Sequence, residues 1–357
     1  MGTSSISLAQ SNHKTQNLVV FTLDGMRWQE IFGGLDTALA NNKEFSRNGS
    51  ELIKAYGGAD AAESRKKLFP FLWTTVVEKG QIYGNRNIGN LVNVSNKYQF
   101  SYPGYNEIWT GYPDTAVNSN DKIYNRNTNL LEFLNKQPGF AGKTAVFSTW
   151  DVFPYIFNAP RSGIYVNAGM DSMKFAPRRK MGPTDETLRT IYDMQWVAPQ
   201  PLGVRQDVIT YFLGREYLKT FHPRVLYIAF DETDDYAHAG LYDQYLGQAH
   251  AEDAMIADMW HTIQSDPQYK DNTTIIITCD HGRGDKDKKT WRDHGENLEE
   301  SGQIWMAVIG PDSSPLGEVS TRTQLYQKQW SPTMAALLGF DFKPDHGTSE
   351  PVGTVLK

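Results

Sequence analysis

Cysteine is almost absent: Cys279 is the only one. No disulfide can therefore form within the chain, and such thiol usage suits the cytosol and the bacterial periplasm equally. No run approaches the roughly 20 apolar residues that a membrane-spanning helix needs, so no membrane span is expected. Basic charge is also scarce, with 35 Lys and Arg against 41 Asp and Glu and a net charge of −6. Without a basic stripe to neutralise phosphates, extended nucleic acid is excluded as a partner. Internal repeats and low-complexity tracts are missing. The charged start and apolar core of a signal peptide are missing too, although Ser7-Leu8-Ala9 has the small residues of a cleavage site. That segment reads either as the stub of a trimmed signal or as an ordinary polar tail.

What remains is ample material for a core. Apolar residues make up 39% of the 357, with 17 Phe, 18 Tyr and 9 Trp. Five short runs are apolar on both faces: Leu18 to Leu23, Thr144 to Ser148, Val225 to Phe230, Thr274 to Cys279 and Ile304 to Ile309. This is the signature of buried parallel strands. Helix-like segments lie between them, at Ser64 to Lys79, Leu130 to Lys136, Arg205 to Thr220, Gln244 to Gln264 and Pro332 to Leu338. The alternation predicts an α/β fold, a mostly parallel central sheet with helices on both faces. Residues 1–16 and 346–357 read as tails around a domain of 17–345. The stretch 121–203, rich in Asn, Pro, Gly and aromatics, reads as an inserted lid at the ligand-binding edge of the sheet.

Three of the runs end in residues able to bind metal. Leu18 to Leu23 leads into Asp24-Gly25, and Val225 to Phe230 leads into Asp231-Glu232-Thr233-Asp234-Asp235-Tyr236-Ala237-His238. Thr274 to Cys279 leads into Asp280-His281-Gly282, with His294-Gly295 a short loop later. An Asp-Gly pair alone is a common turn, and a cluster of acids is more often a solvated loop. Carboxylates and imidazoles at the same ends of adjacent parallel strands converge, however, and oxygen with nitrogen ligands suits zinc. A fourth element begins Phe100-Ser101-Tyr102-Pro103 and ends Thr110-Gly111-Tyr112-Pro113. Pro103 fits a first helical turn, which sets Ser101 at the positive end of the helix. An isolated Ser-x-Pro is ordinarily just a helix cap.

Taken in order, Asp-Gly, Ser-x-Pro before a helix ending Thr-Gly-x-x-Pro, Asp-x-x-x-His, Asp-His-Gly and a final His resemble the alkaline phosphatase superfamily. Thr22 to Trp28 and Ser101 to Pro113 look most like nucleotide pyrophosphatase/phosphodiesterases, and the short gap from His281 to His294 looks more like the phosphate mutases. The resemblance implies two divalent metal ions, zinc or alternatively manganese. One would be held by Asp234, His238 and His294. The other would be held by Asp24, Asp280, His281 and the oxygen of Ser101. It implies Ser101 as nucleophile, a phosphoserine intermediate and a small phosphorylated substrate. Asn118 or Asn120 would bind a phosphoryl oxygen, and Asp231 would orient its loop. A periplasmic or secreted enzyme is the expectation, with the oligomeric state left open.

Three rival readings compete with this one. Sulfatases carry Arg four residues after the nucleophile, where this chain has Tyr105. Phosphoglycerate mutases carry a larger inserted domain than the interval from Ser101 to Asp234 can hold. A calcium-stabilised binding protein would rely on oxygen ligands, whereas three His stand in this pattern. The choice between monoester and diester stays open at this point. Lys122, Arg126, Arg178, Arg179 and Lys180 are placed to meet a dianionic phosphate, and Trp150, Tyr155 and Phe157 to stack a base or simply to form core.

Overall fold

The computed structural model describes residues 13–170 and 186–356. The Ser7-Leu8-Ala9 pattern and the cations Arg178, Arg179 and Lys180 lie outside the described residues. The strands are β1 (Asn17–Leu23), β2 (Gln81–Tyr83), β3 (Asn90–Asn93), β4 (Thr144–Ser148), β5 (Tyr165–Ala168), β6 (Val225–Phe230), β7 (Thr273–Thr278), β8 (Met306–Ile309), β9 (Gly317–Glu318) and β10 (Thr323–Tyr326). Eight form one sheet in the order β5-β4-β6-β1-β7-β8-β2-β9, while β10 and β3 pair separately. Strands β5, β4, β6, β1 and β7 run parallel. Every residue of β1, β6 and β7 is buried, which is why these runs are apolar on both faces.

The helices that matter for the site are α1 (Ala61–Leu68), α2 (Ser101–Thr110), α3 (Leu130–Asn135), α4 (Asp207–Phe221), α5 (Glu232–His238), α6 (Tyr242–Ser265) and α7 (Trp330–Leu337). The architecture is an α/β fold with a mainly parallel sheet flanked by helices. No helix among the described residues is long and apolar enough to cross a membrane.

Several expectations need correcting. The fifth apolar run is antiparallel: β8 pairs Val308 with Ile276 of β7 and also runs against β2. Burial on both faces is common to parallel and covered antiparallel strands, so composition could not tell them apart. The helix expected over Ser64 to Lys79 is interrupted. Helix α1 stops at Leu68, Pro70 follows, and Leu72–Val76 forms a π-helical turn whose entry is held by Asp253, accepting from Phe71 N at 2.7 Å and Leu72 N at 2.9 Å. The stretch 121–203 is not wholly an insertion, because it contributes β4 and β5 to the main sheet. The C-terminal stretch packs back on the domain, with Val355 fully buried and Val352 N bonded to Thr333 Oγ1 at 2.8 Å.

Parallel register sets the site. Leu23 lies opposite Phe230, and Thr22 opposite Thr278. Asp24, Asp231 and Asp280 therefore leave three neighbouring strands at one edge of the sheet.

Candidate active site and metal-ligand cluster

Asp24 is tied to both neighbours through the backbone. Its N–H donates to Phe230 O at 3.2 Å, and Gly25 N donates to Asp280 Oδ1 at 3.1 Å. Gly25 adopts φ +58, and a Cβ there would lie 2.6 Å from Arg283 Nη1 and 2.7 Å from Asp234 Oδ1. The strand end thus has a bare floor over which side chains from β6 and β7 meet. Gly104 does the same for helix α2: a Cβ on it would lie 2.5 Å from Asp280 O, so the first helical turn seats directly against the end of β7.

Ser101 occupies the first turn of α2, but its side chain makes no capping bond. Its Oγ instead faces His281 Nε2 at 3.3 Å. His281 is fully buried, and its Nδ1 donates to Gly282 O at 2.9 Å, which turns Nε2 toward the carboxylates. Around Nε2 stand Asp24 Oδ1 at 3.3 Å and Asp280 Oδ2 at 3.5 Å. Both oxygens are buried and have no hydrogen-bond partner.

The second group forms from α5 and the returning loop. Asp234 and His238, four residues apart on α5, bring Oδ2 and Nε2 to 3.1 Å, and His294 Nε2 lies 3.0 Å from His238 Nε2. The other Asp234 oxygen is taken by the Arg283 guanidinium. His281 lies farther off, its Nε2 3.9 Å from that occupied Oδ1. Asp234, His281 and His294 also fall within one metal-sized cluster. His238 reaches this cluster through Asp234 Oδ2 at 3.1 Å and His294 Nε2 at 3.0 Å, while His294 Nε2 lies 3.7 Å from Asp234 Oδ1.

These spacings fit metal ions. Zinc–ligand bonds of about 2.0–2.1 Å in a tetrahedron put neighbouring ligand atoms about 3.3 Å apart. Both groups match that edge, and the unpartnered oxygens of Asp24 and Asp280 are what a cation would satisfy. The electrostatics agree. Burial and neighbouring carboxylates raise the pKa of Asp24, Asp231 and Asp280. Burial pulls His281 down, but Asp280 and Asp24 outweigh it and raise the imidazole to about 9. His294 falls to about 2 through burial and the charge of His281. For Asp234 burial is overridden by Arg283, His294 and His238, which hold it well below the usual range. Buried negative charge in excess of its partners marks a cation site.

Several side chains behave otherwise than the sequence suggested. Asp231 does not cap its helix; Asp207, at the start of α4, holds the loop by accepting from Asp231 N and Glu232 N, each at 3.0 Å. Asp235 rises to about 8 through burial and Asp234. Asn120 Oδ1 accepts from Tyr102 N at 3.0 Å, beside the nucleophile, whereas Asn118 lines the adjoining cleft with Tyr102 and Tyr124. Lys122 pairs with Asp151 at 2.6 Å and Arg126 with Asp114 at 3.0 Å. Phe157 is core, while Tyr155 stacks on the half-exposed Tyr124 at 4.7 Å. Three residues had no sequence signal of their own. Arg283 donates to Trp291 O at 2.9 Å and so ties down the loop that returns His294. Glu107, fully buried on α2, accepts from Ser95 N, Asn96 N and Lys328 N, at 2.8, 2.8 and 3.0 Å. The Tyr105 hydroxyl donates to Asp24 Oδ2 at 2.7 Å.

Comparison with solved structures finds the same fold at low identity. An alkaline phosphatase, PafA, is 10% identical with a TM-score of 0.62, over 97% of this chain and 99% of its own. The lipoteichoic acid synthase LtaP from Listeria monocytogenes is 12% identical (TM-score 0.57, over 93% and 74%). A 2-O GAG sulfatase, BT1596, is also 12% identical (TM-score 0.57, over 96% and 74%). No curated protein matches the chain in sequence. The family described as type I phosphodiesterase / nucleotide pyrophosphatase matches residues 74–333. That span carries the Ser101 helix, the Asp234–His238 pair, Asp280-His281-Gly282 and His294. The chain belongs to the type I phosphodiesterase / nucleotide pyrophosphatase family, a hydrolase family within the alkaline phosphatase superfamily.

Proposed function

We propose that this chain hydrolyses small phosphodiesters through a covalent intermediate in which Ser101 Oγ is bonded to phosphorus and the second alcohol is still attached, with two divalent metal ions, zinc by preference. The observation that carries this reading is the position of Ser101 Oγ. It stands at a helix N-terminus, without a capping bond, 3.3 Å from His281 Nε2 and beside two sets of ligand atoms at tetrahedral spacing.

Asp24, Asp280, His281 and Ser101 would hold one ion, and Asp234, His238 and His294 the other. Bound ions would supply Lewis-acid charge that lowers the serine pKa and stabilises the leaving oxygen. Ser101 Oγ attacks phosphorus in line, the bond to the leaving alcohol breaks, and that alcohol departs with a proton. In the first turn of α2 Tyr102 N and Gly104 N are already bonded and Pro103 carries no N–H, so the positive end of the helix, rather than a set of free donors, faces the phosphoryl oxygens. The side-chain amide of Asn120, its oxygen engaged by Tyr102 N, is left with two donors for the same oxygens. Water then attacks phosphorus, the Oγ–P bond breaks, the phosphomonoester that keeps the second alcohol is released, and Ser101 recovers its proton.

A diester suits the charge of the site. A phosphomonoester dianion calls for spare cations, and among the described residues the two candidates, Lys122 and Arg126, are paired with Asp151 and Asp114. Loop 115–126 is tied to the start of α2 by the Tyr102 hydroxyl, which donates to Ile123 O at 2.6 Å, and it leaves Ile123 and Tyr124 exposed. The remainder of the 121–203 stretch outside β4 and β5 is the proposed lid. Work in the periplasm or outside the cell is proposed from the Ser7-Leu8-Ala9 pattern, and mapping the mature N-terminus tests it.

Steady-state hydrolysis of a nitrophenyl monophosphate, the corresponding diester and the sulfate, measured side by side, tests the activity. The diester should give the highest kcat/KM. A sulfate ester turning over fastest would overturn the assignment.

A further inference from the structure

Tyr105 stands where the sulfatase pattern has Arg, and the chemistry proposed above gives it no task. It lies one turn after Ser101 on α2, so the two side chains share a face. It is 1% exposed, and its ring packs edge-on against Phe153 with centroids 4.8 Å apart. Set against a carboxylate oxygen, its hydroxyl serves as the donor. Its partner is Asp24 Oδ2, at 2.7 Å. The other oxygen of the same carboxylate, Oδ1, is buried without a partner and faces His281 Nε2 at 3.3 Å. One oxygen of Asp24 is thus engaged by Tyr105, and the other is turned toward the ligand cluster.

We propose that Tyr105 is a positioning residue that holds Asp24 in one orientation, offering a metal ion Oδ1 alone, and so sets the affinity of the Asp24–Asp280–His281 group for its ion. The proposal rests on the two-metal reading given above. A carboxylate free to turn about its terminal torsion would spread its population over one-oxygen and two-oxygen arrangements. Loss of such an orienting partner typically weakens metal binding 10- to 100-fold. Ser101 and Tyr105 share one helix, so the same element that presents the nucleophile also orients a ligand from β1.

The test is zinc binding to the metal-free full chain, followed by competition with a chromogenic chelator. Tyr105→Phe keeps the ring and its packing and removes only the hydroxyl. One of the two zinc dissociation constants should rise by about 10- to 100-fold and the other stay within about twofold. In an Asp24→Asn background the same change should have no further effect, because Tyr105 acts through Asp24. Two unchanged constants, or an equal loss in the Asp24→Asn background, would overturn the proposal. A metal-free Tyr105→Phe chain that has lost its fold would assign Tyr105 a structural role and overturn it as well. Fewer than two zinc ions on the wild-type chain would sink the two-metal reading itself, an outcome distinct from the others.

Discussion

The Nε2 atoms of His238 and His294, one from α5 and one from the loop after β7, lie 3.0 Å apart, and the buried Nδ1 of His294 has no partner. Two imidazole nitrogens at that distance, with Asp234 Oδ2 3.1 Å from one of them, are the atoms proposed to hold one ion. A strong chelator should therefore remove activity, and added zinc should restore it. His294→Ala should bind one ion fewer per chain by metal analysis while keeping its far-ultraviolet dichroism. Hydrolysis untouched by the chelator would exclude the metal reading.

Ser101→Ala should lower kcat by at least about a thousandfold, the scale of losing a covalent nucleophile, with the fold and at least one ion retained. Excess zinc should rescue the ligand variants in part and this variant not at all. Because Tyr105 replaces the Arg of the sulfatase pattern, Ser101 should remain an unmodified serine. Intact mass decides that point, since a formylglycine would be about two mass units lighter.

Gly25→Ala places a Cβ where Arg283 Nη1 and Asp234 Oδ1 already stand, at a residue with φ +58. The left-handed backbone alone costs on the order of 1–2 kcal/mol. Displacing Asp234 should add a loss of about a hundredfold in kcat/KM, the usual penalty for ångström-scale misplacement. Unchanged activity alongside a lowered Tm would mean that the floor of the site yields without moving its ligands.

Asp253 supplies a pH-dependent test of the scaffold. Burial raises its pKa to about 6 from 3.8, against the hydrogen bonds from Phe71 N and Leu72 N that favour the charged form. Below pH 3.8 both folded and unfolded chains hold the proton. Between 3.8 and 6 the unfolded chain has lost it while the folded chain keeps it, so this residue's contribution to stability falls as pH rises through that window. The gap corresponds to about 3 kcal/mol. Asp253→Asn cannot titrate, so its stability relative to wild type should improve from pH 4 to pH 7 in denaturant melts. A constant difference across that range would refute the assignment.

Much of this molecule can be read directly from its residues. Strands buried on both faces must be apolar on both faces, which exposes β1, β4, β6 and β7 to inspection. An acid that directly follows such a strand can only emerge at its carboxyl end. The four-residue spacing of Asp234 and His238 is likewise a local property of one helix, and it sets their side chains on one face before any tertiary contact forms.

Relations between distant segments were decided by the tertiary structure. The direction of β8 depends on where its connection enters the sheet, and its composition carries no trace of that. Asn118 and Asn120 are alike as turn residues, and only the approach of Tyr102 N distinguishes Asn120. Asp207 took the loop-holding part expected of Asp231 because α4 docks with its first turn beside α5, 24 residues away in sequence. Tyr105 could be read in the sequence only as the absence of an arginine. Its use emerges when α2 packs across β1 and brings its hydroxyl to Asp24, because the meaning of a buried donor lies in the acceptor that folding delivers to it.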